Sequence, residues 1–432
     1  MSGFTFVHAA DLHLDAPFHG VRAALREETG TEARALDDLM PKAGFVALKR
    51  LVDVCLRERA AFLILSGDVL NAAEGSLRAE AGLRDACLKL RDAGIAVFLA
   101  HGNHDPLSSR LAAVQWPDNV TIFGPEAESH TIEKNGQVVA VVHGISHEKI
   151  KEGRNLARMF RRSQQHQCFQ LGVLHCTVEG QSKADRYAPC SLDDLKNTGL
   201  DAWALGHVHE RATLSTAPFV AYSGNAQGLH INEPGPRGCL RITASPQTDG
   251  TFVCREDFVR LGPVQWAKVQ VELDGVADLN EVERRMTTAL EQAAESTDPG
   301  CDALITRVVL RGRTPLDAAL RDTVNQEDLA ERLAHLQTST PSVWLKDMLA
   351  ETSPAIDRAQ YLQREDLLGE ALRLADRMAQ GGETLHDVAA PALKQLYEHG
   401  QLRHILTQPD DERMRALLEE AERLCTDLLE AR

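Results

Sequence analysis

From Phe62 to Asp68 the chain reads FLILSGD, a short apolar run that stops at a glycine and a carboxylate. The same pattern returns from Ala96 to Asp105, which reads AVFLAHGNHD. Runs this short, with apolar residues on both faces, are typical of strands buried within a sheet. In α/β proteins, ligands bind just beyond the carboxyl ends of such strands. The pattern therefore predicts a buried sheet with a polar site along one edge.

Apolar runs alternate with helical stretches from the N-terminus to about Arg260. The predicted strands are Phe4–Ala9, Phe62–Ser66, Ala96–Ala100, Val138–Val142, Leu171–Leu174 and Ala202–Leu205. A hairpin of Cys239–Thr243 and Phe252–Phe258 follows, joined by a turn that contains Pro, Asp and Gly. This alternation predicts a layered α/β domain.

The composition changes near Pro263, where a strand–helix–strand module begins, predicted at Ala267–Leu273, Leu279–Glu295 and Ala303–Arg311. From Pro354 onward the pattern is helical, and the last segment places on one face Met414, Leu417, Leu418, Ala421, Leu424 and Leu428. Such a stripe is typical of core packing, and docking onto a partner helix is the alternative. We therefore predict a main domain at 1–262, a small α/β domain at 263–340 and a helical region at 341–432.

Composition and charge exclude several classes of protein. Hydrophobic residues make up 43% and charged residues 25% of the 432 residues, as in ordinary globular proteins. No apolar run approaches the ~20 residues of a membrane helix, and the N-terminus lacks a secretory signal. Nine scattered cysteines without a C-x-x-C pair suit a reducing compartment, so we expect a cytoplasmic protein without a membrane partner. The net charge of −16 argues against a broad basic DNA-binding face, although bound metal ions could supply local positive charge.

The polar residues at the predicted strand ends are of the types that bind divalent metals. They are Asp11, His13, Asp68, Asn103, His175, His207 and His209. The D-x-H and H-x-H pairs can each direct both members into one site, because side chains of an extended chain alternate. Asp68 offers two carboxylate oxygens and is the best candidate to bridge two ions. Mixed His, Asp and Asn ligation favours Mn²⁺, Fe²⁺ or Zn²⁺, and paired metals of this kind predict hydrolysis of phosphate esters.

His104 lies beside a candidate ligand but is not needed as one. We predict that it is catalytic, since it could protonate the leaving oxygen or stabilise charge on the phosphorane oxygens. Asp105 could orient His104 or cap a helix. His143 is a weaker ligand candidate that we expect to pack at a strand end. We expect that three further histidines, His8, His19 and His101, are ordinary neighbours of the motifs.

The densest basic segment lies between Lys149 and Arg162. If it is helical, one face carries Arg154, Arg158, Arg161 and Arg162. Such a face could follow a phosphate backbone, and we predict that it contacts DNA. A solvated helix face is the alternative.

These motifs resemble those of the calcineurin-like metallophosphoesterase superfamily. The opening segment from Phe6 to Phe18, FVHAADLHLDAPF, is more particular. It resembles the DNA repair exonucleases of the YhaO group, which are relatives of the nuclease subunit of the bacterial SbcCD complex. The stretches YSGNAQG from Tyr222 and RGRTPL from Arg311 are similar as well. The resemblance covers residues 1 to about 315.

The resemblance implies a layered β-sandwich flanked by helices, with a small α/β capping domain and a helical C-terminal region. One ion would be held by Asp11, His13, Asp68 and His209, and the other by Asp68, Asn103, His175 and His207. Manganese would be the preferred metal. The resemblance also implies a homodimer and a partner, an SMC-like coiled-coil ATPase of the YhaN type that the helical tail would grip. One departure follows Asp68, where relatives often carry an acidic or aromatic residue and this chain reads Val69-Leu70-Asn71.

The sequence therefore predicts a two-metal phosphodiesterase acting on DNA, a manganese-dependent exonuclease of DNA repair in which His104 assists departure of the 3′ oxygen. The first alternative is a small-molecule phosphoesterase, such as a nucleotidase or a cyclic-nucleotide phosphodiesterase. The modules after residue 262 favour a macromolecular substrate over that alternative. The second alternative is a DNA-tethering scaffold subunit with little catalysis, and the complete set of candidate ligands argues against it.

Overall fold

The computed structural model describes residues 3–18, 36–71, 76–109, 115–134, 136–180, 186–333, 336, 340–355, 358–380 and 411–430. The chain divides into two units, each built from separate segments. The first unit comprises Met1–Gln270, Met286–Val309 and Asp328–Leu349. The second unit comprises Val271–Arg285, Leu310–Glu327 and Ala350–Arg432.

The described strands, in chain order, are β1 (Phe4–Ala9), β2 (Phe62–Ser66), β3 (Ala96–Ala100), β4 (Val120–Ile122), β5 (Glu128–Lys134), β6 (Gln137–Ile145), β7 (Phe169–His175), β8 (Ala202–Gly206), β9 (Ala212–Thr216), β10 (Phe219–Tyr222), β11 (Gly238–Pro246), β12 (Phe252–Arg260), β13 (Val264–Glu272), β14 (Ala303–Thr314) and β15 (Ser342–Pro354). The described helices are α1 (Ala43–Arg57), α2 (Leu77–Asp92), α3 (Leu192–Lys196), α4 (Leu279–Glu295), α5 (Asp317–Arg321), α6 (Thr323–Arg332), α7 (Arg358–Leu362), α8 (Leu367–Gln380) and α9 (Asp411–Glu430). Short 3-10 helices cover Met40–Lys42 and Leu156–Met159.

Two six-stranded sheets form the main layers, with strand orders β12-β11-β1-β2-β3-β4 and β5-β6-β7-β8-β10-β9. The run from β1 to β4 is parallel, as is the run β6-β7-β8-β10. Antiparallel strands are β5, β9 and the hairpin of β11 and β12. Because parallel strands end on the same side, each sheet brings several loops together at its carboxyl edge.

An aromatic and aliphatic core lies between the two sheets. Along β1 the side chains alternate: Phe4 and Phe6 join this core, whereas Val7 and Ala9 join the core on the outer face of the first sheet. Phe62 of β2 stacks on Phe6 with ring centroids 5.0 Å apart. Side chains of β7 and β8 in the second sheet pack into the same core. The two sheets therefore form a sandwich.

Helices and loops cover the outer faces of the sandwich. α1 and α2 pack Leu51 and Leu83 into the core of the first sheet's outer face. Phe160 and Trp203 pack in the core on the outer face of the second sheet, with their ring centroids 4.7 Å apart. The predicted layered α/β fold, a β-sandwich flanked by helices, is confirmed.

A smaller three-stranded sheet has the order β13-β14-β15. The predicted helix at Leu279–Glu295 has those bounds in the structure, as α4. β15 was not predicted, and it occupies Ser342–Pro354, in the stretch 341–432 that was expected to be helical. Helical structure begins after it, at Arg358. The domain bounds at 262 and 340 remain a prediction.

The C-terminal stripe is half buried within its own unit. Met414 of α9 packs against Met378 of α8, with Leu418 beside them. Arg358 of α7 links the two longer helices through ion pairs with Asp376 and Glu422. Farther along α9, the side chains of Leu424 and Leu428 are 59% and 62% exposed. The predicted apolar face thus packs at its start and is exposed at its end.

Each helix in the part of the chain that the structure describes is too short or too polar to cross a lipid bilayer. The nine cysteines are free thiols, and seven of them are buried. Cys176 and Cys190 approach each other to 3.8 Å between sulfur atoms without a disulfide.

We predict that Gly206→Ala destabilises the protein by about 1–3 kcal/mol, the usual cost of forcing extra atoms into a packed interior. A Cβ at Gly206 would overlap the backbone carbonyl oxygen of Ser66, which cannot rotate away. Gly153→Ala is the matched control, because a Cβ there meets no described atom within 4 Å. Denaturant unfolding measures both variants. Equal stability of the two would contradict the close approach of the sheets at Gly206.

Candidate metal centre

The loops that follow β1, β2, β3, β7 and β8 meet at one edge of the sandwich. Backbone hydrogen bonds hold the first two loops together: the N–H of Asp11 donates to the carbonyl of Gly67 at 3.0 Å, and that of His13 to Asp68 at 3.1 Å. The N–H of His207 donates to both carboxylate oxygens of Asp11, at 3.2 and 3.1 Å. Candidate ligands almost 200 residues apart in sequence are therefore adjacent.

The backbone is strained at four of the candidate ligands. The φ angles are 51° at Asp11, 40° at His13, 50° at Asp68 and 98° at His207. Non-glycine residues rarely adopt positive φ, and each such conformation costs on the order of 1–3 kcal/mol. The surrounding structure must hold these residues in place, and strain of this kind clusters at functional sites.

Two groups of side chains bring possible ligand atoms within 4.8 Å of one another: Asp11, His13 and His209, and Asp11, Asp68 and His175. In the first group the Nε2 atoms of His13 and His209 are 3.3 Å apart. In the second, His175 Nε2 lies 3.2 Å from Asp68 Oδ2. Asp11 belongs to both groups, and Asp68 Oδ2 of the second group lies 4.0 Å from His13 Nε2 of the first, a position from which Asp68 could bridge two ions.

Asn103 and His207 adjoin the second group. The amide oxygen of Asn103 is 3.1 Å from His175 Nε2. The ring of His207 meets that of His175 edge to face, with centroids 5.3 Å apart, and has the same separation from Tyr187 on its other side. All seven predicted ligands are therefore gathered at one edge, and their roles as ligands remain a prediction.

The donor set fits a pair of divalent transition metals. It combines imidazole nitrogens with carboxylate and amide oxygens, and the carboxylates of Asp11 and Asp68 are almost fully buried. Burial raises the pKa of Asp11, and the charge of Asp68 raises it further against the pull of the histidines. Burial opposes charge on His175, yet the nearby Asp68, together with Asp11 and the carbonyl of Ser66, outweighs burial and raises the pKa of His175 to about 9. The site therefore favours added positive charge, as metal cations would provide.

Hydrogen bonds orient three histidines so that Nε2 faces the centre. His13 Nδ1 lies 2.8 Å from the amide oxygen of Asn71, and His175 Nδ1 donates to the carbonyl of Ser66 at 2.9 Å. His209 Nδ1 lies 2.5 Å from a carboxylate oxygen of Glu233. Such partners fix the tautomer and ring orientation of metal-binding histidines. Sequence reasoning did not find these partners.

Asp105 neither orients His104 nor caps a helix, which corrects both expectations for it. Its buried carboxylate accepts the backbone N–H of Gly102 at 2.7 Å and those of residues 68–70 at 2.8 to 3.4 Å. Asp105 therefore ties the loop after β3 to the loop after β2. These hydrogen bonds fix the position of Asp68, which follows β2, relative to Asn103, which follows β3.

His104 lies over the site without joining either ligand group. Its backbone N–H donates to Asp68 Oδ1 at 2.8 Å, and its ring stands perpendicular to that of His13 with centroids 5.0 Å apart. Among the described residues, its ring nitrogens have no hydrogen-bond partner, and the side chain is exposed. Partial burial lowers the pKa of His104 and the charge of Asp68 opposes that shift. The ring is therefore available to a substrate.

The other histidines are structural neighbours in the described regions, as expected. His143 Nε2 bonds the side chain of Gln170 at 3.0 Å. His8 Nε2 bonds the Ser66 hydroxyl at 3.0 Å, and burial lowers the pKa of His8 to about 3. His101 is fully buried. His19 lies outside the described residues.

The four arginines predicted to contact DNA do not share a helical face, so that part of the prediction is wrong. The segment contains only a short 3-10 helix, Leu156–Met159, which includes Arg158. Arg154, Arg161 and Arg162 lie outside it. A 3-10 helix has a different side-chain repeat from the α-helix that the prediction assumed.

Most of these arginines are also paired with acids. The ion pairs join Arg154 to Glu152 at 2.7 Å, Arg158 to Asp194 at 2.8 Å and Arg162 to Asp201 at 2.9 Å. Arg161 donates to the carbonyl oxygens of Arg158 and Phe160, each at 2.6 Å. Neighbouring carboxylates therefore neutralise much of the positive charge that the sequence indicates.

Two family models match parts of this chain. Residues 4–211 match the family of calcineurin-like phosphoesterases, and residues 266–353 match the middle domain of the metallophosphoesterase YhaO. The chain is 32% identical over 324 residues to the uncharacterized metallophosphoesterase YhaO of Bacillus subtilis (strain 168), covering 73% of both chains. It is 25% identical over 332 residues to the DNA double-strand break repair protein Mre11 of Aeropyrum pernix, covering 72% of this chain and 74% of that one.

Solved structures of low identity also align with the chain. A dimetal phosphatase from Danio rerio aligns at 13% identity and a TM-score of 0.34, over 61% of this chain and 99% of its own. The protein TT1561 of Thermus thermophilus aligns at 10% identity and a TM-score of 0.32, over 60% and 100%. The family matches and the identity to the Bacillus protein confirm the resemblance read from the motifs: the chain belongs to the YhaO family of calcineurin-like metallophosphoesterases.

Proposed function

We propose that this metallophosphoesterase is a two-metal phosphodiesterase that degrades DNA as a manganese-dependent exonuclease in DNA repair. The observation that carries the proposal is the gathering of seven His, Asp and Asn residues, Asp68 among them, at one edge of the sandwich. When bound there, two divalent ions would polarise the phosphate and stabilise charge on the attacking and leaving oxygens. Iron and zinc are the alternative metals for this donor set.

The chain's residues would divide the work as follows. Asp11, His13 and His209 would hold one ion, Asp68 would bridge, and the second ion would be held by Asn103, His175 and His207. Asn103 contributes a neutral oxygen, which adds no negative charge to repel a phosphate. His104, exposed beside Asp68, would give a proton to the departing 3′ oxygen or donate a hydrogen bond to the phosphorane oxygens.

DNA as substrate is supported by relatives and by the domain composition. Proteins from Aeropyrum pernix and Thermoplasma acidophilum that are 25% and 24% identical to this chain are named DNA double-strand break repair proteins. The module at 266–353 extends the chain beyond a catalytic domain, as suits a macromolecular substrate. DNA contact by Arg154, Arg158, Arg161 and Arg162 remains a prediction, and their acidic partners indicate that they would add little affinity.

We also propose partner proteins and a cytoplasmic location for this protein. The exposed Leu424 and Leu428 on α9 suit docking of an SMC-like coiled-coil ATPase of the YhaN type. We also propose that this protein forms a homodimer. Free thiols throughout the described chain suit the cytoplasm.

We predict release of nucleotides from end-labelled DNA in Mn²⁺, because the chain belongs to a family of phosphoesterases and two relatives are named for DNA repair. Duplex and single-stranded DNA are compared with nucleoside monophosphates, cyclic nucleotides and an aryl phosphodiester. Cleavage of the small substrates with intact DNA would support the small-molecule alternative instead. Absence of hydrolysis for every substrate would support the scaffold alternative.

We predict two transition-metal ions per chain in the loaded protein and fewer in Asp68→Asn, which loses the bridging carboxylate. Elemental analysis measures the stoichiometry. Loading each site of the wild type to 100 times its dissociation constant should stabilise the fold by about 2.7 kcal/mol per ion against thermal unfolding, and a chelator should remove that gain. Asp347→Asn is the control, because Asp347 pairs with Arg307 and not with the candidate ligands. One ion or none in the loaded wild type contradicts the two-metal centre.

We predict that His104→Asn keeps both ions but loses ~10²–10⁴-fold in turnover, as expected for a general acid or a charge-stabilising group. His143→Asn is the matched control, since His143 bonds Gln170 away from the candidate ligands and should leave turnover near wild type. Turnover is measured with DNA and with an aryl phosphodiester. If His104→Asn loses its metals, His104 is a ligand and the catalytic role is wrong.

A further inference from the structure

The loop from Ser223 to Arg237 follows β10, contains most of the YSGNAQG motif and includes Glu233, the partner of His209 Nδ1. We propose that Glu233 in this loop is a positioning residue for His209, setting the affinity of the ion that Asp11, His13 and His209 would hold. The inference rests on the metal centre of the proposed function. It does not depend on the substrate.

Glu233 meets His209 directly. Its Oε1 lies 2.5 Å from His209 Nδ1, and its side chain is 7% exposed. The other ring nitrogen, His209 Nε2, faces the centre at 3.3 Å from His13 Nε2 and 3.9 Å from Asp11 Oδ1. An ionised carboxylate only accepts hydrogen bonds, so it requires the proton on Nδ1 and leaves the lone pair of Nε2 for a metal.

The second carboxylate oxygen of Glu233 also accepts hydrogen bonds. Oε2 accepts the backbone N–H of Leu229 at 2.7 Å and the side-chain amide of Asn225 at 3.1 Å. His230 also faces the carboxylate, with its Nε2 3.5 Å from Oε1. Hydrogen-bond donors therefore converge on both carboxylate oxygens of Glu233 and hold its side chain in place.

The rest of the loop fixes both partners in place. Arg237 donates to the backbone carbonyl of His209 and, at 3.2 Å, to the side-chain oxygen of Asn225. The side chain of Gln227 bonds both the N–H and the carbonyl of Val264, at 3.2 and 2.8 Å, at the start of β13. Hydrogen bonds of Asn225 and Gln227 thus fix the loop that carries Glu233 beside His209.

Glu233 also distinguishes His209 from other histidines of the centre. The Nδ1 partners of His13 and His175 are neutral, an amide oxygen and a backbone carbonyl. A carboxylate partner makes the imidazole a stronger electron donor to a metal. Its loss should therefore weaken the ion bound by His209 and leave the ion near His175 unaffected.

The test is Mn²⁺ titration of chelator-stripped protein by calorimetry, comparing wild type with Glu233→Gln. Glutamine has one acceptor oxygen where three donors converge, so it cannot satisfy Leu229, Asn225 and His209 together. The Mn²⁺ affinity of one site should fall about 10–100-fold, the usual effect of removing a hydrogen-bond partner of a metal-binding histidine. The Mn²⁺ affinity of the other site should remain unchanged. Unchanged affinities in a folded variant overturn the proposal, as does an equal loss of both ions.

Two further variants separate positioning from general stability. Glu152→Gln makes the same substitution at a glutamate that is also 7% exposed but pairs with Arg154, and it should leave both affinities unchanged. In a His209→Ala background, Glu233→Gln should have no additional effect on metal affinity, because its action passes through His209. An additive loss in that background contradicts the proposal. Glu233→Asp keeps the charge at shorter reach and should weaken the same ion less than glutamine does.

Discussion

The two sheets of the sandwich touch at Ser66, and the metal centre depends on that contact. The carbonyl of Ser66, at the end of β2, accepts a hydrogen bond from His175 at the end of β7. The same carbonyl occupies the space where a side chain at Gly206, at the end of β8, would lie. A sandwich normally separates its sheets by about 10 Å of side chains. Here glycine removes the side chain, so ligands carried by opposite sheets reach one another.

This closeness explains why the site needs an internal framework. Asp11, His13, Asp68 and His207 adopt positive φ, a conformation that is uncommon for residues other than glycine. Asp105 offsets part of that cost by accepting backbone hydrogen bonds from two of the loops, and Glu233 holds His209 from the far side. The framework therefore consists of buried carboxylates that bind backbone and histidine donors, while the carboxylates of Asp11 and Asp68 face the candidate metal centre.

The predictable part of the structure was the part that burial dictates. β1, β2 and β3 are buried on both faces, so their apolar runs gave the correct bounds and indicated where the candidate ligands follow them. The edge strands β5 and β9 alternate with exposed polar residues and carry no such run. The basic segment contains a short 3-10 helix instead of the predicted α-helix, and two of its arginines pair with acids distant in sequence, Asp194 and Asp201. Glu233 and Asn71 were missed because they lie 24 and 58 residues from the histidines they contact, and nothing local marks the pairing.

The contact between Asp11 and His207 has a consequence for how the protein folds. These residues are 196 positions apart, and one belongs to the first sheet's loops while the other follows the second sheet. Contacts of such long sequence separation form late and make folding slow, since the intervening chain must be ordered first. A partly folded chain would have no complete set of ligands, so metal uptake would signal that both sheets are finished. Once bound, the ions would link the two sheets into one cooperative unit, in which neither sheet could open without releasing metal.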